Sequence, residues 1–404
     1  KPEHQFVPAG NQSFGVLKDK NIIYVQLESF QQWLVGKTVN GQEVTPNLNK
    51  FAAKSLQFSN FHYQIGPGTS SDAEFTALNS LFHLGDGATL FEYPNNRYRA
   101  LPQRLREKGY STVAMHGDSR NFWNRGNAYP SFGYQRYLTV EDYTKGPDNV
   151  AWGIADPDFF EQSFDKLTGL KQPFWAHVIS LSSHGPFHLP QDLQKLDLTG
   201  VELSELQRDY MQSVNYADRA FGAFLEEFQA SPLAATTALV VTGDHEPFIA
   251  DQTDATYARF LGYEGGFNDV TFLASKRVPF MIQLPDGSLT GSIDAPASHL
   301  DVYPTLANLA GLEPSKSWLG RDLLNNSEPT VARRKRSVTP EIEMIMTKDL
   351  TYAGFNSSNF DDGKCYRASQ PVAIGDCRQL FDQQLEKIKL SDLIVKGNRL
   401  DLLE

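Results

Sequence analysis

Residues of the types that bind divalent metal ions occur at separate points of this sequence: Glu28, Ser70, Asp244 and His245. Together they offer two carboxylates, one hydroxyl and one imidazole, a four-ligand set. Three oxygen ligands and one nitrogen ligand suit manganese first, with magnesium or zinc as alternatives. A metal ion makes a bound hydroxyl lose its proton more readily and neutralises charge on an attacked phosphate. The set therefore predicts a metal-activated hydroxyl nucleophile that needs no separate base.

The hydroxyl lies where a loop changes into a helix. Two glycines and a proline exclude a regular element over residues 66–68, and we expect the next helix over residues 74–83. A helix N-terminus offers free N–H groups and a positive dipole end, so it attracts phosphate. Thr69 and Ser70 are both candidate nucleophiles. The alternative is that one of them only caps the helix.

The other ligands follow predicted strands. Short apolar runs predict strands at residues 21–27, 56–61, 110–115, 174–181, 238–242 and 278–284. Helical patterns separate them, so we predict an α/β fold with a mostly parallel central sheet and helices on both faces. Glu28 follows the first of these strands, and Asp244 and His245 follow a later one. Open α/β sheets place ligand sites at such strand ends, although Glu28 alone could also be a surface carboxylate.

A second group of polar residues follows two more of the predicted strands. His116 and Asp118 come after residues 110–115, and Trp123 and Arg125 follow shortly after them. This order is typical of a substrate wall, and the alternative is a packed tryptophan with the arginine stacked on it. His184 lies just past residues 174–181 in a loop that glycine and proline interrupt.

Two further histidines have simpler interpretations. His177 lies inside a predicted strand, so we expect it in the core rather than at a ligand site. His299 begins a predicted helix, where packing at the helix start is the better explanation.

The composition limits the class of protein. With 404 residues, 40% hydrophobic and 12% aromatic, the chain can build one large domain plus an appendage, or two domains. A net charge of −11 argues against nucleic acid as the main partner. No apolar run approaches the roughly 20 residues that span a bilayer, and no signal peptide is visible.

The character of the sequence changes from about residue 325. Alternating segments at residues 341–347 and 350–353 predict antiparallel strands, and a helix is expected at about residues 379–390. We therefore predict a C-terminal α+β subdomain over residues 326–404. Residues 333–336 are all basic, and we expect a solvated loop there, with contact to anionic head groups as the alternative.

The sequence has two cysteines, Cys365 and Cys377, which lie close together in this C-terminal part. Only two cysteines, far from other motifs, do not indicate a zinc site. They are either both free or joined in one small disulfide loop. We expect the disulfide, which would fit an extracytoplasmic domain.

Taken together, these residues resemble a known family. Nearly the whole chain is similar to the extracellular catalytic domain of lipoteichoic acid synthases, within the alkaline phosphatase/sulfatase superfamily. The motifs that carry the resemblance are LESF at 27–30, TPNL at 45–48, SDAEF at 71–75, HG at 116–117, FWNR at 122–125, His184, GDH at 243–245, GRDLL at 320–324 and LSD at 390–392.

The resemblance implies roles for the metal-binding residues. The family's Glu, Thr, Asp and His ligands fall on Glu28, position 70, Asp244 and His245. The family nucleophile is usually a threonine followed by Ser-Asp, and alignment without gaps puts Ser70 at that position. Thr69 stands where a lysine is usual. We therefore expect Ser70 to be the nucleophile and keep Thr69 as the alternative.

The resemblance also implies a head-group pocket. It assigns His116, Asp118, Trp123, Arg125 and His184 to the binding of a glycerol-phosphate group. The planar fork of arginine suits phosphate. The histidine at position 184 would protonate a leaving alkoxide or take a proton from the acceptor, unless it only donates a hydrogen bond to phosphate.

The activity implied is that of a phosphoglycerol transferase. Ser70 attacks the phosphodiester of phosphatidylglycerol, diacylglycerol leaves, and a second alcohol resolves the glycerophosphoryl-enzyme. That alcohol would be the terminal glycerol of a growing lipoteichoic acid polymer. Such an enzyme works at the extracytoplasmic face of a bacterial cell membrane. We therefore expect residues 1–20 to be a lead-in after a missing membrane anchor, and residues 21–325 to form the catalytic domain.

Other functions remain as alternatives. The acceptor could instead be a periplasmic glucan or another alcohol, or the domain could be a metal-dependent phosphodiesterase. A sulfatase is disfavoured, because residues 70–74 lack the proline and arginine of the Cys/Ser-x-Pro-x-Arg motif. The non-enzymatic alternative is a binding domain that has kept the fold and lost the chemistry.

Overall fold

The structure is a computed structural model. It describes residues 13–148, 150, 152–325, 328–355 and 359–403. Most of the predicted N-terminal lead-in, residues 1–12, lies outside the described residues.

An eight-stranded sheet forms the centre of the molecule, in the order β11-β4-β10-β9-β1-β8-β6-β7. Its strands are β1 (Asn21–Leu27), β4 (Leu56–Phe58), β6 (Ser111–His116), β7 (Arg136–Leu138), β8 (Phe174–Ile179), β9 (Thr237–Gly243), β10 (Phe280–Gln283) and β11 (Gly291–Ile293). The five strands from β9 to β7 are mutually parallel, and β10 runs antiparallel to both of its neighbours. The predicted mostly parallel sheet is therefore confirmed.

Helices cover both faces of this sheet. The helices are α1 (Pro46–Ala52), α2 (Thr69–Asn79), α3 (Thr89–Glu92), α4 (Leu101–Glu107), α5 (Arg125–Ala128), α6 (Asp156–Thr168), α7 (Glu205–Ala230), α8 (Ala255–Phe260), α9 (Asp269–Ser275), α10 (Val302–Leu309) and α11 (Arg378–Gly397). Alternate side chains of β1 enter different cores, as the two-residue period of a strand requires. Tyr24 packs in the same core as Phe75 of α2, whereas Val25 packs with Phe221 of α7.

A second, antiparallel sheet follows in the C-terminal part. It consists of β13 (Thr330–Arg334), β14 (Ile342–Thr347), β15 (Leu350–Ala353), β16 (Lys364–Arg367) and β17 (Gln370–Val372), in that order. The short pairs β2 (Thr38–Val39) with β3 (Gln42–Glu43), and β5 (Phe61–His62) with β12 (Ala297–Ser298), complete the strands. The predicted domain boundary at residues 325 and 326 stays a prediction.

The elements on either side of the glycine-rich loop differ from those predicted. The helix after the glycine-rich loop begins at Thr69, not at residue 74, because Gly68 precedes it directly and the small residues after it join its first turn. It ends at Asn79, since Ser80 takes a left-handed conformation with φ 54°. The strand predicted over residues 56–61 is divided into β4 and β5, which pair with different sheets.

The prediction for the basic cluster is wrong for its first two members. Arg333 and Arg334 belong to β13 and are each 1% exposed. Arg333 pairs with Glu343, Nε to Oε2 at 2.8 Å, and Arg334 pairs with Asp392. Charge runs are usually solvated, but here each buried guanidinium has a carboxylate partner, on the neighbouring strand for Arg333 and 58 positions away for Arg334.

The predicted disulfide is confirmed, with Cys365 and Cys377 joined across a Cα–Cα distance of 6.0 Å. In the described part of the chain, no helix combines the length and the apolar content that crossing a bilayer requires.

Candidate active site

The strand ends bring three of the predicted metal ligands together. Leu27 of β1 is paired with Gly243 of β9, so Glu28, Asp244 and His245 leave the sheet side by side. Their ligand atoms all lie within 4.8 Å of one another, and all three residues are buried. His245 Nε2 lies 3.4 Å from Glu28 Oε1 and 3.6 Å from Asp244 Oδ2.

Ser70 completes this cluster from the first turn of α2. Its Oγ lies 3.2 Å from Glu28 Oε2 and 3.1 Å from His245 Nε2. The residue is 1% exposed and does not cap the helix, since Gly68 occupies the N-cap position. Thr69 makes no described hydrogen bond through its side chain and lies at the same turn with φ 37°. The geometry brings Ser70, rather than Thr69, to the carboxylates and the imidazole.

Several features of this cluster fit a divalent cation. Asp244 Oδ2 is buried without a hydrogen-bond partner, while its Oδ1 accepts the N–H groups of Ser29 and His245 at 2.8 Å each. Burial and the neighbouring Glu28 carboxylate raise the pKa of Asp244 to about 7. His245 donates its Nδ1 hydrogen to the Glu246 carbonyl, 2.7 Å away, so the neutral ring has its lone pair on Nε2. The donor set therefore fits the predicted metal site.

A buried aspartate holds the loop in front of the nucleophile. Asp72 Oδ2 accepts the N–H groups of Gly66 at 3.1 Å and Gly68 at 2.7 Å, and Oδ1 accepts that of Thr89 at 3.1 Å. A Cβ at Gly68 would lie 2.8 Å from the Asp72 carboxylate, so only glycine fits there. The sequence showed Asp72 only as an acidic residue in a helix turn, and its bracing role became visible in the structure.

Arg125 reaches the site from the start of α5 and is buried, 1% exposed. Its Nη2 and Nε donate to Glu74 Oε1 and Oε2 at 2.6 and 3.1 Å. The third nitrogen, Nη1, is buried without a partner. Glu74 lies one helical turn after Ser70, so α2 carries both the candidate nucleophile and the carboxylate that holds the arginine. Sequence reasoning missed Glu74, whose partner is 51 positions away.

Two other predicted pocket residues present buried atoms without a partner. His116 donates Nδ1–H to the Ile179 carbonyl at 3.0 Å, which leaves the Nε2 lone pair free. Burial and the charge of Arg125 lower the pKa of His116 to about 3, so the ring is neutral. Trp123 has φ 53°, and its Nε1–H also lacks a partner. Two hydrogen-bond donors without a partner, on Trp123 and Arg125, suit phosphate oxygens. One acceptor without a partner, on His116, suits a hydroxyl group, so the pocket fits a ligand that carries both.

His184 and Asp118 lie beside the cluster. His184 donates Nδ1–H to the Gly185 carbonyl at 2.7 Å, so its neutral ring has a free Nε2 lone pair. Burial lowers the pKa of His184, and the negative charges of Asp244 and Asp118 offset part of that effect. The carboxylate of Asp118 is nearly buried and accepts the N–H of Ser119 at 2.5 Å.

The two remaining histidines are core residues. His177 is buried in β8 and hydrogen-bonds Gln26 at 3.2 Å and Tyr134 at 3.1 Å. His299 is also buried, accepts the N–H of Gln64 at 3.1 Å and donates to the Gly243 carbonyl at 3.0 Å. His299 therefore ties the strand end before Asp244 to the segment that leads into the glycine-rich loop.

The C-terminal sheet supports the same region. Tyr63 donates to Glu246 Oε1 at 2.7 Å, and the guanidinium of Arg333 lies over the Tyr63 ring at 4.8 Å. Gln64 Nε2 donates to the Ala332 carbonyl at 2.7 Å. Strand β13 thus lies directly behind the loop that carries His245. In contrast, a surface cavity of about 520 Å³ contains none of the predicted site residues; it is lined by Arg97, Arg99, Gln103, Glu107, Pro314, Ser315 and Lys316.

Comparisons with known proteins agree with this geometry. The Sulfatase family model matches residues 20–312. Lipoteichoic acid synthase 1 of Bacillus subtilis (strain 168) is 37% identical over 391 residues, which is 94% of this chain and 60% of that protein. Lipoteichoic acid synthase of Staphylococcus aureus (strain USA300) is 32% identical over 396 residues, 95% of this chain and 58% of that protein.

A solved structure agrees in fold over almost the whole chain. The crystal structure of the lipoteichoic acid synthase LtaP from Listeria monocytogenes has a TM-score of 0.86 and 27% sequence identity, with 96% of this chain and 95% of that chain covered. The chain spans about 60% of the length of the curated relatives that it matches.

Proposed function

This chain belongs to the Sulfatase family, within the alkaline phosphatase/sulfatase superfamily, and from that premise we propose that it is a metal-dependent phosphoglycerol transferase. The observation that carries the proposal is the position of Ser70 Oγ, within hydrogen-bond distance of both Glu28 and His245. The similarity to lipoteichoic acid synthases over more than nine tenths of the chain supports glycerol phosphate as the group transferred. The donor is phosphatidylglycerol.

The metal ligands are Glu28, Ser70, Asp244 and His245. Manganese is proposed first, with magnesium or zinc as alternatives, because oxygen donors predominate. When bound, such an ion lowers the pKa of the serine hydroxyl and neutralises charge on the phosphate. Mutual repulsion of two buried carboxylates explains why this site suits a cation.

In the first half-reaction, Ser70 Oγ attacks phosphorus and the bond from phosphorus to the diacylglycerol oxygen breaks. The serine loses one proton and the leaving alkoxide gains one, so this half-reaction is proton-neutral. Arg125 Nη1 and Trp123 Nε1 donate hydrogen bonds to phosphate oxygens, and His116 Nε2 accepts one from a glycerol hydroxyl. These atoms suit the roles because all three are buried without partners.

In the second half-reaction, an acceptor alcohol attacks phosphorus and the serine–phosphorus bond breaks. The proton that the alcohol loses ends on the Ser70 oxygen, so this half-reaction is also proton-neutral. His184 is suited to take the proton of that alcohol, because its neutral ring has a free lone pair on Nε2. The lowered pKa of His184 keeps the ring in this neutral form. The acceptor is the terminal glycerol of a glycerol-phosphate polymer.

We infer that the protein acts at the extracytoplasmic face of a bacterial membrane, where such donors and acceptors meet. The disulfide supports this location, because disulfides persist in oxidising compartments.

Peptide mass spectrometry after incubation with manganese and phosphatidylglycerol tests the proposal. We expect a glycerophosphoryl adduct on Ser70 and release of diacylglycerol. The Ser70→Ala variant is expected to give neither product. An adduct on Thr69 would retain the reaction and overturn the choice of nucleophile. Metal-loaded protein that forms no adduct and releases no diacylglycerol would contradict the proposed donor.

A further inference from the structure

Exposed aromatic side chains contact the candidate active site. Among the described residues, four aromatic side chains are strongly exposed: Phe14, Phe91, Trp152 and Phe248. All but Phe14 contact a residue of the site. We propose that Phe91, Trp152 and Phe248, here called the aromatic rim, dock on the surface of a phospholipid bilayer.

Each member of the aromatic rim is fixed by a ring contact to the site. Trp152 lies 4.3 Å from the His184 ring, measured between ring centroids, and remains 56% exposed. Phe248 lies 5.6 Å from the His245 ring and is 51% exposed. Phe91 lies 6.3 Å from the Trp123 ring and is 53% exposed. Each contact therefore places a member of the rim beside a different residue of the site.

The backbone at Phe248 supports a dedicated role. Its φ of 56° lies in the left-handed region, which a residue with a Cβ rarely adopts. Conformations of this kind persist where the surrounding structure imposes them, and they cluster at ligand-binding sites. Arg336 lies over the Phe248 ring at 5.6 Å, so a cation accompanies the exposed aromatic group.

A bilayer is the occupant that the chemistry favours, and this argument rests on the proposed function. Ser70 is buried, so the donor phosphate has to enter the site. In a phospholipid that phosphate is attached directly to the glycerol that carries the acyl chains. The edge of the site must therefore reach the boundary between head groups and acyl chains. Tryptophan suits that boundary, because its ring can leave water while its N–H stays near polar groups. Phenylalanine suits the apolar side of the same boundary.

The net charge favours apolar contact over electrostatic attraction as the way this face docks. At −11 the chain is repelled by anionic lipid, and Arg333 and Arg334 are already paired with carboxylates. Long-range attraction therefore cannot hold the protein at the surface. The aromatic rim instead makes a short-range contact, because its rings enter the lipid while Arg336 lies close to a lipid phosphate.

The test compares vesicles with a dissolved substrate. The double variant Trp152→Ala/Phe248→Ala is expected to bind vesicles of phosphatidylglycerol and phosphatidylcholine at least about tenfold more weakly than the wild type. Its kcat/KM should fall more with vesicles than with monomeric short-chain phosphatidylglycerol. Phe14→Ala is the matched control, an exposed aromatic residue away from the site, and should behave as the wild type. Equal losses on both substrates, or unchanged vesicle binding, would overturn the proposal.

Tryptophan fluorescence gives a readout that does not require turnover. Vesicles with brominated acyl chains should quench part of the wild-type fluorescence, and the conservative variant Trp152→Phe should bind the vesicles while losing that quenched part. If the wild type turns over neither substrate but is quenched, the aromatic rim stands and the proposed function fails. If a glycerol-phosphate polymer changes Trp152 fluorescence and brominated vesicles do not, the rim binds acceptor and the lipid proposal is wrong.

Discussion

The buried pair of Glu74 and Arg125 makes a quantitative prediction possible. The Glu74 carboxylate accepts four hydrogen bonds: from Gln26 at 3.1 Å, from Arg125 at 2.6 and 3.1 Å, and from Tyr129 at 2.7 Å. Glu74→Gln replaces one of the two acceptor oxygens with an NH₂ group, which would face two of these donors. It also removes the charge that compensates a guanidinium only 1% exposed.

The expected loss of stability is large. Breaking a buried ion pair by removing one partner costs about 3–5 kcal/mol. For 404 residues, an unfolding entropy of about 2.1 cal/mol/K per residue converts that cost into a fall in Tm of roughly 4–6 °C. Tyr129→Phe removes a single hydrogen bond to the same carboxylate and should cost less, about 1.5–3 kcal/mol.

The pH dependence follows from the pKa of Glu74. Burial alone would raise it, but the Arg125 guanidinium outweighs burial and lowers the pKa from 4.5 to about 2. A lowered pKa means that the ionised form is the stabilising one, so its contribution is present above pH 4.5 and is lost as the pH falls towards 2. The Tm difference between the wild type and Glu74→Gln should therefore be constant above pH 4.5 and shrink below it.

Calorimetry and steady-state kinetics measure both consequences. Because Glu74 holds Arg125 so that Nη1 stays free for phosphate, we expect kcat/KM to fall about 10- to 100-fold in Glu74→Gln. The matched control is Glu226→Gln, an exposed glutamate on α7, which should leave Tm and kcat/KM unchanged. A lower Tm with normal kcat/KM would mean that Glu74 serves stability alone. Normal values of both would refute the argument that this pair positions the arginine.

Three further predictions concern the metal site, the base and the loop behind His245. Removal of metal by a chelator should lower Tm by about 5 °C and abolish transfer, because Glu28 and Asp244 then repel each other. Added manganese should restore both the Tm and the transfer activity. An unchanged Tm in calorimetry of the chelated protein would contradict this prediction. In the wild type, the rate of resolution of the glycerophosphoryl-enzyme should fall only below about pH 6.5, since the base must be neutral and the pKa of His184 is lowered. That acidic limb should disappear in His184→Gln, and its persistence in rapid-quench experiments would exclude His184 as the base. Tyr63→Phe removes the hydrogen bond to Glu246, the residue after His245, and should weaken manganese binding about 5- to 10-fold in titration calorimetry. An unchanged affinity would argue against support of this loop through Tyr63.

Much of the site could be predicted because its residues follow local patterns. Glu28, Asp244 and His245 stand directly after buried apolar runs, and the parallel sheet brings such strand ends to one edge. Ser70 follows a glycine-rich turn, which is another local pattern. Prediction from the sequence was correct in bringing these four positions together, while their role as ligands stays a prediction.

What the sequence concealed depends on contacts between distant residues. Glu74 shows no distinguishing feature until Arg125 is placed beside it, 51 positions later. The burial of Arg334 likewise depends on Asp392, 58 positions away. A run of basic residues is usually solvated, so the sequence favoured a loop where the structure has strand β13. The helix start was also misplaced, because the small polar residues that follow Gly68 form the first turn of α2 and not a continuation of the loop.

The contact of β13 with the segment that precedes α2 has a consequence for biogenesis. Tyr63 and Glu246 precede the residues that support them in the chain. Arg333, which lies over Tyr63, and Asp392, which holds the neighbouring Arg334, are made later. During synthesis, the ends of β1 and β9 can therefore pair before β13 and α11 exist to support them. We expect high-affinity metal binding to appear only when α11 has left the ribosome. Nascent chains stalled at successive lengths would show this as a late gain of manganese binding, whereas early binding would contradict it. The candidate site of such a chain is complete only after the later segments that support it have been made.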